Sequence, residues 1–74
     1  MEDIVVYYYF IKQVDCIYIT KEYKKLYNDV ITYLPILNDS YQFYVINYID
    51  KNIKHSRGSK WLGKLKSFVN TINF

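Results

Sequence analysis

Residues 3–20 read DIVVYYYFIKQVDCIYIT, and the fold turns on how they are assigned. In the first nine (DIVVYYYFI, 3–11), the eight residues after Asp3 are all β-branched or aromatic, the types enriched in strands. Alternation puts Ile4, Val6, Tyr8 and Phe10 on one face and Val5, Tyr7, Tyr9 and Ile11 on the other. Both faces are apolar, which calls for a strand covered on both sides or lying at an interface. Tyrosine tolerates a half-wet face. KQVD at 12–15 interrupts the run, and CIYIT at 16–20 reads as a second, shorter strand. The expectation is an N-terminal antiparallel β-hairpin, 3–11 against 16–20, although its turn carries neither Asn-Gly nor Asp-Gly.

Downstream the spacing is helical. Thr20 is placed to cap a helix over 21–34. In it Tyr23, Leu26, Tyr27, Val30, Ile31, Tyr33 and Leu34 share an arc of about 160°, and Pro35 stops it. Residues 36–40 form a loop in which Asp39 or Ser40 can cap a second helix over 41–54. Its apolar face would be Val45, Ile46, Ile49 and Ile53. A strand over 41–49 is the competing reading, because Tyr41, Phe43, Val45 and Ile49 also alternate. HSRGS at 55–59 is a turn with Ser59 as a cap. A last helix over 60–72 gathers Trp61, Leu62, Leu65, Phe68, Val69 and Ile72 on an arc of about 120°. The predicted fold class is therefore α+β: a hairpin followed by two or three helices, in one small domain spanning 1–74.

Composition narrows the class. The chain has 74 residues, 51% of them hydrophobic and 20% aromatic, with ten Tyr and no Ala. That is a globular composition, not a disordered one. Ile, Lys, Asn, Tyr and Phe account for more than half of the residues. These are residues of A/T-rich codons, which points to a low-GC genome such as that of a phage, a large DNA virus or a low-GC bacterium. The single cysteine, Cys16, rules out an internal disulfide. The acidic start Met1-Glu2-Asp3 is unlike a secretion signal. The longest apolar run, 4–11, is too short to span a bilayer. A cytoplasmic location, in an infected host cell for a viral product, is expected.

Charge is segregated. Net charge is +3, yet all seven acids (Glu2, Asp3, Asp15, Glu22, Asp29, Asp39, Asp50) precede residue 51. Residues 51–74 carry Lys51, Lys54, Arg57, Lys60, Lys64 and Lys66 and no acid. Such asymmetry suits an anionic partner; the plainer reading is a basic end folded on an acidic one. Ser56-Arg57-Gly58-Ser59-Lys60 opens the last helix, where free N–H groups suit phosphate, but it is not a P-loop.

Chemistry-bearing patterns are missing. There is one His and one Cys, and a Cys16–His55 pair lacks a third residue to orient the base. The carboxylates show no acid/base spacing, and no metal-ligand pattern occurs. No catalytic residue, metal or cofactor is expected, and the protein is not expected to be an enzyme. The last helix is basic and amphipathic, as membrane-surface helices are, but its apolar arc is needed for the core, so membrane binding is not expected.

Ten Tyr exceed what a core this small holds, because each buried hydroxyl needs a partner. Tyrosine is favoured at protein-binding surfaces, so Tyr7, Tyr9, Tyr18, Tyr44 and Tyr48 are candidate contacts with a protein partner. The function expected is a non-catalytic binding protein. It would be an accessory product of a phage or mobile element that inhibits a host protein, for instance a nucleic-acid enzyme such as a CRISPR or restriction nuclease. The alternatives are a small nonspecific DNA- or RNA-binding protein using Lys51, Lys54, Arg57, Lys60, Lys64 and Lys66, and a homo-oligomeric structural protein. A homodimer is compatible with the first two.

Overall fold

A computed structural model describes residues 2–53 and 59–72. The described residues form four α-helices: α1 (Asp3–Thr20), α2 (Tyr23–Tyr33), α3 (Asp39–Asn52) and α4 (Lys60–Thr71). Among the described residues there is no strand, so the α+β class is overturned. The expected hairpin over 3–11 and 16–20 is a single helix, and KQVD is its middle rather than a turn.

The physical reason is a stripe inside the apolar run. Val6, Phe10, Val14 and Ile17 are buried, at spacings i, i+4, i+8 and i+11, the period of one helix face. Burying that stripe outweighs the strand propensity of the β-branched and aromatic side chains, because tertiary packing overrides a preference of a few tenths of a kcal/mol per residue. The helix ends at Lys21, which is left-handed at φ 59°, its N–H donating to the Ile17 carbonyl. Thr20 is thus the last residue of α1 and not the cap expected for α2. Its hydroxyl accepts a hydrogen bond from the Glu22 N–H at 3.3 Å.

The remaining helices follow the sequence spacing closely. α2 leads into a 3-10 turn at Leu34–Ile36 that contains Pro35. Residues 41–49 belong to α3 and not to a strand. α3 is capped by Asn38, whose side chain accepts from the Tyr41 N–H at 3.1 Å, rather than by Asp39 or Ser40. Ser59 caps α4, accepting from the Trp61 N–H at 3.2 Å. No described helix is long and apolar enough to cross a membrane.

One core joins the four helices: Phe10 and Ile17 of α1, Leu26 and Val30 of α2, Val45 and Ile49 of α3, and Leu62, Leu65 and Val69 of α4. Leu34, Leu37 and Ile53 close it from the connections. α1 packs on α2 and α3, and α4 packs on the same two, so α1 and α4 stand diagonally opposite. α1 and α3 run parallel. The Asn38 N–H donates to Asp3 at their N-terminal ends, and the Tyr48 hydroxyl donates to Asp15 farther along. α1 is tied to α2 through Asp29, which accepts from the Tyr9 hydroxyl at 2.9 Å and from Gln13 Nε2 at 3.1 Å.

These phenol–carboxylate bonds make an alkaline prediction. The Tyr48 hydroxyl is held above its ordinary value of 10.0 chiefly by the bond to Asp15. Tyr9 is held above the same value by desolvation against α2 and then by Asp29. Below pH 10 both folded and unfolded chains keep these protons, and the full contribution is present. As pH rises past 10 the unfolded chain releases them first, so stability falls. In urea titrations between pH 8 and 11, the paired substitution Tyr9→Phe and Tyr48→Phe is expected to lower stability at pH 8 and to flatten the alkaline decline. An unchanged alkaline slope would show that these bonds are not formed in solution.

Candidate functional site

Once Val6, Phe10, Val14 and Ile17 point inward, the other apolar residues of α1 must point elsewhere. Ile4 is 43% exposed and Tyr8 62% exposed. On the neighbouring helix α3, Val45, Ile46 and Ile49 take the core, which leaves Phe43 and Tyr44 outside at 52% and 58% exposure.

The two sets meet because α1 and α3 are parallel neighbours. The Tyr7 ring is the link, with its centroid 5.5 Å from Tyr8, 5.4 Å from Tyr41 and 6.5 Å from Tyr44. Tyr44 in turn lies 6.0 Å from Phe43, edge-on. Five rings therefore form one connected surface across α1 and α3. Its N-terminal border carries Asp3 and Asp39, in the first turns of the two helices, where carboxylates complement the helix dipoles. On the other flank of α1, Val5, Tyr9 and Tyr33 line a hollow of about 370 Å³ together with Val6, Lys25 and Asp29.

The expected aromatic contacts divide. Tyr7 and Tyr44 belong to the five-ring surface. Tyr48 and Tyr9 are turned to the carboxylates of Asp15 and Asp29. Tyr18 is exposed on the C-terminal half of α1, away from the N-terminal turns that carry the five rings. Tyr8, Tyr41 and Phe43, the three rings that the sequence reading left out, are the ones that complete the surface. Their signal was present: each lies within about a turn of a residue that a helical period sends inward.

The expected basic contacts also divide. Lys54 and Arg57 lie outside the described residues, as do His55 and most of the Ser56–Lys60 turn. Lys51 is exposed on α3. Lys66 is half-buried and paired with Asp50 at 3.3 Å, the intramolecular use of charge weighed above. Lys60 and Lys64 converge on Trp61, with ammonium groups 5.4 and 4.7 Å from the ring centroid, and are joined there by Lys24 of α2 at 5.5 Å.

Among the described residues no three His, Cys, Asp or Glu side chains come together as metal ligands would. Cys16 is half-buried on α1. No family model, curated protein or solved structure matches the chain.

Proposed function

We propose that the protein is a non-catalytic binding protein that docks on a partner protein through the α1–α3 aromatic face and acts by covering the surface it occupies. The observation that carries this reading is the connected set Tyr8, Tyr7, Tyr41, Tyr44 and Phe43, three of whose rings are more than half exposed. Large, stiff, amphipathic rings are the side chains from which protein interfaces draw most of their affinity. A domain of 74 residues with so few hydrophobes to spare leaves such a surface uncovered at a cost in solubility, which an obligate contact would offset.

The partner's chemistry follows from the border. Asp3 and Asp39 flank the rings, so the complementary surface is apolar and fringed by lysine or arginine. Clefts that bind nucleic acid have that character, and blocking one inside a host cell is the use expected of a phage or mobile-element accessory protein.

The test places a photo-crosslinking phenylalanine analogue at Tyr44 in the native cell, with the same analogue at Asn28, exposed on α2, as control. The expected result is one hetero-adduct of defined mass from position 44, absent from position 28 and lost on Phe43→Ser. An adduct only with a second copy of this chain, or equal labelling from both positions, would contradict the reading.

A further inference from the structure

We propose that Trp61, with Lys24, Lys60 and Lys64, forms a site for single-stranded nucleic acid on the side of the bundle formed by α2 and α4. This site is separate from the α1–α3 face and does not depend on the docking reading. Three ammonium groups from two helices lie within 5.5 Å of one ring centroid. Among the described residues none of the three is ion-paired: Glu22 is taken by Lys25 and Asp50 by Lys66. Like charges gathered this closely repel one another, and phosphate is the group that relieves them.

The aromatic part distinguishes nucleic acid from a simple anion. Trp61 is half-buried and leans on Tyr27 at 5.7 Å, which fixes its plane. All three lysines are exposed, and a cation–ring contact open to water is weak. The lysines can therefore leave the indole for phosphates and free its face for a base. The surface continues from there as a shallow groove lined by Tyr27, Gly63, Lys64, Ser67, Phe68 and Thr71. Gly63 has no side chain, so a strand can approach the backbone of α4 closely at that point. From Trp61 to Thr71 the helix rises about 15 Å. The path is thus basic at one end and aromatic and hydroxyl-lined along its length, the combination that binds unpaired strands without sequence preference. Bases inside a duplex stay stacked and present no face to Trp61, so duplex is disfavoured.

Trp61 is the only tryptophan, and its fluorescence reports the site directly. Titration with a twelve-residue oligothymidylate at 20 mM salt is expected to give saturable quenching. The logarithm of the affinity should fall with that of salt at a slope of about −2, the value for three phosphates on a single strand. Lys24→Glu combined with Lys64→Glu should weaken binding at least about 30-fold, with far-UV circular dichroism unchanged since both side chains are exposed. Trp61→Phe, followed by anisotropy of a labelled strand, should cost about ten-fold. Lys24→Glu alone should cost several-fold, whereas Lys12→Glu, the same change of net charge elsewhere, should cost less than two-fold. The inference is overturned by any of four results: no saturable quenching at 20 mM salt, equal quenching by inorganic triphosphate, equal affinity for a duplex of the same length, or equal losses from Lys12→Glu and Lys24→Glu.

Discussion

Replacing Phe10 by alanine leaves the protein largely unfolded at 37 °C, whereas replacing Tyr8 by alanine barely moves its melting temperature. Phe10 is fully buried in the shared core, and deleting a buried phenylalanine side chain costs about 3–5 kcal/mol. A chain of this length has about 4–11 kcal/mol in total. In a domain this small each kcal/mol is worth about 4–8 °C, so a fall of about 12 °C or more is expected for Phe10→Ala. Tyr8 is 62% exposed, and an exposed substitution away from caps and networks costs about 0.5 kcal/mol. The contrast is diagnostic because a strand over 3–11 would put Tyr8 and Phe10 on the same face. Thermal unfolding followed by circular dichroism decides it; equal losses at both positions would restore the strand.

The second large effect is at Gln13. In a hairpin this residue sits in the turn, where proline is tolerated. In α1 it sits in the helix interior, where proline removes an interior hydrogen bond and collides with the preceding turn, at a cost of about 3 kcal/mol or more. Gln13→Pro is therefore expected to lower the urea midpoint to near zero and to reduce helical ellipticity. Gln13→Ala supplies the comparison. It loses the bond from Nε2 to Asp29 but keeps the backbone, and a part-buried bond of this kind is worth about 1 kcal/mol. If Gln13→Pro and Gln13→Ala were equally stable, residues 12–15 would not be helical.

Much of the bundle is legible in the sequence, and the part that is not has a specific cause. Leu26 and Val30, then Leu62, Leu65 and Val69, stand out because polar residues separate them, so only one period fits. Residues 4–11 have no polar residue at all, and an unbroken apolar run satisfies both a period of 2 and a period of 3.6. Residue type then decided for strand. Two observations pointed the other way: no Gly or Pro occurs before Pro35, and Val14 and Ile17 extend the spacing of Val6 and Phe10 past the polar KQVD. The same misreading hid Tyr8 from the candidate surface, since strand alternation places it with Phe10. Lys24 was missed for a different reason. It lies far in sequence from the acid-free C-terminal segment and joins Lys60 and Lys64 only because α2 packs on α4. Lys66 shows the converse: a residue of that segment that folding returns to an acid, Asp50.

The shared core and the ring surface both depend on α1 being one uninterrupted helix. Backbone Cα chemical shifts of the isotope-labelled protein read this residue by residue. Positive deviations from random-coil values, continuous from Asp3 to Thr20 and including residues 12–15, are predicted. Negative deviations over 4–11 and 16–19 with a break at 12–15 would contradict it.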